Sequence, residues 1–327
     1  MNVKLFLLGA LSVAALFSLS MLSSSSSDSP NQEFHSFMQA HGRRYSSPQE
    51  FNYRLSIFLD NVAYNNMINA EGRSYELGVN QFSDLTFEEF ASFYLMTPIE
   101  NTDKLEGPET PRTAGNKDWT AEGKVTKVKN QGQCGSCWAF STTGGLESLY
   151  AIKKGYLHEY SEQELVDCSR GYGNQGCNGG LMSYAFKYIH DKSVGTEGDY
   201  PYVAKDQACK APTKGERVTV AGSKPLSKND VATLVAAIGT QPVPVAIEVQ
   251  RDFVNYKTGI YSNANCGTAL NHGVLATGFS DDGKINFFRV KNSWGTSWGE
   301  AGYIRMAYGT GKGTCGIANS WDAIPLL

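Results

Sequence analysis

Seven cysteines stand at positions 134, 137, 168, 177, 209, 266 and 315, and none precedes 134. In an oxidising compartment thiols pair, and an odd count leaves one free. Two of the seven lie three apart in QGQCGSCWAFS (131–141). If Cys134 and Cys137 form a redox disulfide, five thiols remain and one is orphaned elsewhere. If one of the two is a reactive thiol, the other six make three bridges, which is the tidier arrangement.

The compartment is readable at the N-terminus. Lys4 is followed by an uncharged stretch from Leu5 to Leu22 and then by serines from 23 to 27. This is the layout of a secretory signal peptide over 1–22, cut near 20–27. The stretch is near the minimum length that spans a bilayer, but Gly9 and interspersed serines dilute it, so no stable membrane anchor is expected after cleavage.

Charge divides the rest of the chain. Residues 28–112 hold 6 basic and 13 acidic side chains, whereas 113–327 hold 22 basic and 19 acidic ones. An acidic, cysteine-free front piece thus precedes a mildly basic, cysteine-rich body. Between them TPIENTDKLEGPETPRTAG (97–115) reads as an exposed linker, a natural place for proteolytic nicking. The overall charge of −3 and the absence of a Lys/Arg run argue against a nucleic-acid binder.

In the front piece Phe34, Phe37 and Met38 recur at helical spacing, and a second helix is expected from Ser47-Pro48. Along it Glu50, Arg54, Phe58, Asn61, Asn65 and Asn69 share one face, with Glu50 and Arg54 spaced to pair. YELGVNQF (75–82) is strand-like and ends in a turn at Ser83-Asp84. The body opens with helices over 137–154, 161–168 (Ser161 and Glu164 in capping-box spacing) and 181–190. VTVAG, VPVAIEV, GVLATGF, INFFRVKNSW and GYIRMAY then read as strands. Helices first and strands later give an α+β body in two halves, about 113–215 and 216–327.

A cysteine is a good nucleophile only as thiolate. Cys137 opens a helix, where free N–H groups and the dipole favour the negative form, and Gly132 and Gly135 let another backbone come close. The base a thiolate needs is usually histidine. His158 lies in a polar turn and His190 at a helix C-terminus, so both have ordinary roles. His272 in ALNHGVLATGF precedes a buried-looking strand and is the candidate. Asn292 in KNSWGTSWGE is placed to orient it, with Trp294 to shield the bond from water.

QGQCGSCWAF, NHG and NSWGTSWG, in this order, resemble the papain family of cysteine proteases; His272 follows Cys137 by 135 residues and Asn292 by 155, close to the family's separation of roughly 130–150. The front helix resembles the family's ERFNIN inhibitory prosegment through Glu50, Arg54, Ile57, Phe58, Asn61 and Asn69. Asn65 stands where that motif has isoleucine. GVNQFSD (78–84) matches the GxNxFxD element through Gly78, Asn80, Phe82 and Asp84.

The resemblance implies a papain-like two-domain fold with a cleft between a helical and a β-barrel-like half, made as a zymogen with an inhibitory propeptide over 28–112 and a mature peptidase over 113–327. It implies disulfides Cys134–Cys177, Cys168–Cys209 and Cys266–Cys315. Catalysis would use Cys137, His272 and Asn292, with the oxyanion held by the Gln131 amide and the Cys137 backbone N–H. GNQGCNGGLMSYAF (173–186) is similar to the cathepsin L branch. Gly179, Gly180, Asn271 and Trp294 would then contact substrate. Leu181, Met182, Ala246, Leu270 and Ser320 would line an apolar pocket for the residue two positions upstream of the cut. The implied partners are protein and peptide substrates, the front piece itself and cystatin-type inhibitors. A monomer without cofactor or metal is expected, lysosomal, vacuolar or secreted. The opposite charges of front piece and body suggest release of the front piece by acidification.

Two glycines in STTGG (141–145) sit where the catalytic helix often has Gly-Ala, a loss of about 1 kcal/mol in helix propensity.

Overall fold

A computed structural model describes residues 30–97, 115–226, 230–281, 284–319 and 323–327. The expected signal peptide, the centre of the expected linker and Ser320 lie outside the described residues.

The front region is helical. α1 (Pro30–Ala40) packs on α2 (Pro48–Ala70) through Phe34, Phe37 and Phe58. α2 starts where the sequence has Ser47-Pro48: the Ser47 hydroxyl accepts the Glu50 N–H, and Pro48 stands where no N–H is needed. Its buried face carries Ile57, Phe58, Asn61, Asn65 and Ile68. The expected Glu50–Arg54 pair is not formed. Glu50 turns back to the Ser46 N–H (2.9 Å) and hydroxyl (2.7 Å). Arg54 instead reaches Glu89 (2.7 Å) and donates to the Asp84 carbonyl (3.0 Å), bridging α2 to the first turn of the third helix and the chain just ahead of it.

The expected strand over 75–82 is confined to β1 (Tyr75–Leu77). Beyond it Asn80 and Ser83 close a turn, with the Asn80 side chain accepting the Phe82 N–H (2.9 Å) and the Ser83 hydroxyl accepting the Asn80 N–H (3.0 Å). Local side-chain bonds of this kind compete with ladder pairing. α3 (Phe87–Tyr94) follows with a reciprocal capping box between Thr86 and Glu89.

β2 (Asn116–Asp118) leads into the body, whose helical part holds α4 (Cys137–Lys153), α5 (Glu162–Cys168) and α6 (Met182–Lys192). Only half of the capping box at α5 forms. Ser161 accepts the Glu164 N–H (2.9 Å), while the Glu164 carboxylate is taken by Arg217, Tyr188 and the Gly195 N–H. The expected strand VTVAG is broken into β4 (Arg217–Val218), paired with β3 (Val194–Gly195), and β5 (Gly222–Lys224). A helix not read from the sequence, α7 (Val231–Ile238), follows. Its VATLVAAI is apolar nearly all round, a pattern that periodicity alone does not separate from a buried strand.

The second part is a seven-stranded sheet that gathers distant segments. β6 (Val243–Ile247), the short α8 (Arg251–Val254), β7 (Tyr256–Tyr261), β8 (His272–Ser280), β9 (Phe287–Lys291), β10 (Tyr303–Ala307) and β11 (Ile324–Leu326) complete the chain. β1 of the front region adds to the sheet edge antiparallel to β7, Tyr75 opposite Gly259. β2 pairs with β8 on the other side, and β11 pairs with β5.

Where the two parts meet, three charged side chains, Glu147, Glu162 and Lys291, are buried, and Lys129 is nearly so. Lys129 bridges Glu147 of α4 (2.7 Å) and Glu162 of α5 (2.6 Å). Lys291 of β9 donates to Thr126, which itself donates to Glu147. Buried charges of this kind tolerate no missing partner. The glycine pair in α4 also has a packing reason. A Cβ on Gly145 would lie 2.5 Å from the Pro244 ring of β6, and one on Gly144 2.9 Å from Leu275 of β8. The helix gives up propensity so that the sheet can come close.

Candidate active site

α4 delivers Cys137 to its own first turn, and β8 delivers His272 to its first position. α4 and β8 come close there because Gly273 has no side chain: a Cβ on it would lie 3.1 Å from the Trp138 backbone and 3.2 Å from the Cys137 carbonyl carbon. With that space free, the Gly273 N–H donates to Cys137 Sγ (3.2 Å). His272 Nε2 bonds Asn292 Oδ1 (2.8 Å), which fixes the ring. Trp294 stacks on the imidazole at 4.6 Å between centroids. His272 Nδ1 is buried without a hydrogen-bond partner among the described residues.

Gln131 is held by nearly every polar atom. Its N–H donates to Ser293 C=O, and its side-chain oxygen accepts from the Ser293 hydroxyl (2.7 Å) and the Trp294 indole (3.2 Å). The side-chain nitrogen donates to Cys134 C=O (2.9 Å) and to the main-chain carbonyl of Tyr94 in the front region (2.8 Å).

The front region crosses the whole site. The Met96 N–H donates to Asn271 C=O (3.0 Å) and the Thr97 N–H to Asn178 C=O (3.1 Å). Phe82 and Phe90 pack edge-on against Trp294, and Gln81 donates to Trp294 C=O (2.8 Å). The Met96 side chain is buried in one apolar cluster with Met182, Ala246 and Leu270.

Burial of the site reverses the expected ionisation. The helix start and nearby N–H groups do favour the thiolate, yet burial outweighs them and pushes the Cys137 thiol up to about 11. Burial likewise pushes His272 down to about 4, against the raising effect of Asn292. Beneath the front region the couple is a neutral thiol and a neutral imidazole.

The structure closes Cys134–Cys177, Cys168–Cys209 and Cys266–Cys315 and leaves Cys137 free, so the CxxC redox arrangement is not formed. Gly179 and Gly180 differ in what they serve. A Cβ on Gly179 would meet Met96 Cβ at 2.9 Å, whereas one on Gly180 would strike Trp138 and Asn174 from within at 2.6 Å. Leu181 is buried outside the Met96 cluster. The sequence does not mark Tyr94, Met96 or Gln81: Tyr94 acts through its main-chain carbonyl, Met96 through packing and Gln81 through a side-chain amide that resembles any surface glutamine. No group of three or more His, Cys, Asp or Glu able to hold a metal occurs among the described residues.

Two family models match the chain, one for papain family cysteine proteases over residues 113–324 and one for the cathepsin propeptide inhibitor domain over 34–90. The chain belongs to the papain family of cysteine proteases. Thiol protease aleurain of Arabidopsis thaliana is 40% identical over 296 residues, covering 87% of this chain and 81% of its own. Digestive cysteine proteinase 1 of Homarus americanus is 42% identical over 307 residues, covering 88% and 92%. Pro-cathepsin H of Bos taurus is 41% identical, covering 87% of each chain. The solved digestive procathepsin L 3 of Tenebrio molitor larval midgut superposes with a TM-score of 0.81 at 37% identity, covering 91% of this chain and 99% of that one. This papain-family chain thus carries its inhibitory prosegment, and the front region is that prosegment seated on the site.

Proposed function

We propose that the chain is the zymogen of a cathepsin L-like endopeptidase in which Cys137 attacks the peptide carbonyl. The observation that carries this reading is the joint placement of a free thiol at a helix start and an imidazole fixed through Nε2 by Asn292. With Nε2–H committed to Asn292, Nδ1 is the basic nitrogen and takes the thiol proton once the prosegment leaves and water can solvate the ion pair. The imidazolium then protonates the leaving amine, and water hydrolyses the thioester. The Cys137 N–H and the second Gln131 N–H stabilise the oxyanion. One Gln131 N–H stays on Cys134, so the other is already aimed, and in the zymogen the Tyr94 carbonyl occupies it. Loss of one such donor costs about 10²–10³ in rate.

The buried, apolar Met182, Ala246 and Leu270 support an apolar preference two residues upstream of the cut. The mature chain begins near 113. No described helix is long and apolar enough to cross a membrane, and a lysosomal, vacuolar or extracellular destination fits three disulfides.

The test is labelling of acid-activated protein with a peptidyl epoxide, followed by peptide mapping. Cys137 alone should be modified, in step with loss of hydrolysis of a Phe-Arg reporter. Hydrolysis that survives full modification of Cys137 overturns the reading. A reporter with Arg in place of Phe should be cut at least about tenfold more slowly, the range a mismatched pocket gives.

A further inference from the structure

Ser136 is the N-cap residue of α4, a position where a serine hydroxyl normally accepts a backbone N–H of the first turn. Here it makes no such bond. Its oxygen lies 2.5 Å from the hydroxyl of Tyr202, which in turn lies 2.7 Å from the main-chain carbonyl of Gln131. The carbonyl can only accept, so Tyr202 donates its single proton to Gln131 and Ser136 donates to Tyr202. One phenol therefore ties the residue carrying the oxyanion amide to the residue whose carbonyl carbon bears the Cys137 N–H. Those are the two oxyanion donors of the proposed reaction, each covalently close to an atom that Tyr202 holds.

Tyr202 is itself fixed. Its ring meets Phe140 edge-on at 4.8 Å, and its N–H donates to Glu197 (2.8 Å). The following N–H, of Val203, donates to Gln163 of α5 (2.9 Å). With the Ser136 hydroxyl diverted from its capping role, the Ala139 N–H is taken by the Ser136 carbonyl instead (2.8 Å).

We propose that Tyr202 is a positioning residue that sets the separation of the two oxyanion donors, Gln131 Nε2 and the Cys137 N–H. The proposal rests on the peptidase reading. It makes a distinction that a generally structural tyrosine does not: acylation builds an oxyanion, whereas alkylation of the thiol by iodoacetamide builds none.

The experiment compares the acid-activated full-length chain with Tyr202→Phe, which keeps the ring against Phe140. Expected is a kcat lower by roughly tenfold to a hundredfold, the scale of an ångström-level misplacement, with KM for the Phe-Arg reporter within about twofold. Inhibition by a peptide aldehyde should weaken by a similar factor, while the alkylation rate of Cys137 stays within about twofold. Ser136→Ala breaks the same link from the other end and serves if Tyr202→Phe folds poorly; it should lower kcat in the same pattern, and the double variant should be no worse than Tyr202→Phe alone. Tyr200→Phe removes a nearby phenol that bonds Asp167 and should leave kcat unchanged.

An unchanged kcat in both Tyr202→Phe and Ser136→Ala overturns the proposal. So does alkylation that falls as far as kcat, because the phenol would then act on the thiol and imidazole. An equal loss in Tyr200→Phe also overturns it. Failure of the peptidase reading is seen separately, as wild-type protein that hydrolyses no reporter or does so with Cys137 blocked.

Discussion

The body and the prosegment meet at one cleft but are held by different means. Behind the cleft, Lys129, Glu147, Glu162 and Lys291 form an interlocked, largely buried set, and three disulfides fasten the surrounding loops. The prosegment has neither device. It adds a three-residue strand to the sheet edge, inserts Met96, and stacks Phe82 and Phe90 on Trp294. Charge crosses its interface at Asp60–Arg251 and Arg73–Asp252, where the Asp60 and Arg73 ends are partly or largely exposed. It also buries an amide that is not satisfied, since neither side-chain atom of Asn65 has a partner among the described residues. One surface is built to persist and the other to be released.

The sharpest way to break this contrast is on the body side. Glu147→Ala leaves Lys129 and Lys291 short of a buried partner, and the expected loss is about 3–5 kcal/mol. That corresponds to a melting temperature lower by about 10 °C, read by calorimetry on the full chain. A variant that melts within 2 °C of wild type, a margin of about half a kcal/mol, would mean that the buried set carries little of the body's stability.

Next comes the plug. Met96→Ala should weaken prosegment inhibition by about 2–3 kcal/mol, or roughly 30- to 150-fold, seen as activation at higher pH and a higher inhibition constant for prosegment added to active enzyme. Unchanged inhibition would show that backbone contacts through Tyr94 and Asn271 are sufficient.

Asn65→Ile works in the opposite direction. Removing an unpaired buried amide should strengthen the prosegment by about 1–2 kcal/mol and slow acid activation roughly tenfold. Faster activation would show that the site is too small for isoleucine.

The smallest effect is one of pH. Burial, followed by the nearby Glu162, raises Glu197 from 4.5 to about 7. In this window the folded body binds a proton that the unfolded chain has released, so this contribution is present below about pH 4.5 and is lost as pH rises through 7. Glu197→Gln should flatten the fall in melting temperature over that interval relative to wild type. Parallel profiles would count against the shift.

Much of the molecule is legible in the sequence because the signals are local. Ser47-Pro48 starts α2 and Cys137 starts α4 within a few residues of where capping and pattern place them. The odd cysteine and the order of Cys137, His272 and Asn292 name the residues that the fold brings together. Local spacing misleads where a distant segment competes for the same atom. Glu50 and Arg54 are spaced to pair, but Glu89 takes the arginine. Ser161 caps α5, but Arg217 and Tyr188 take its Glu164 partner. Gly180 also has a packing reason the sequence does not show, since a Cβ there would strike Trp138 and Asn174.

The order of residues set out the chemistry available: an odd thiol, a candidate base, a candidate orienting amide and an inhibitory segment ahead of them. The state of that chemistry came from packing in three dimensions. The thiol of the same Cys137 that a helix start would ionise is pushed up by burial, in a site crossed by a segment some 40 to 55 residues earlier. Helix starts, caps and motif spacing are set by neighbours along the chain, whereas burial sums over everything packed nearby in space. Protonation follows burial, and so the resting state of this site is a property of the fold.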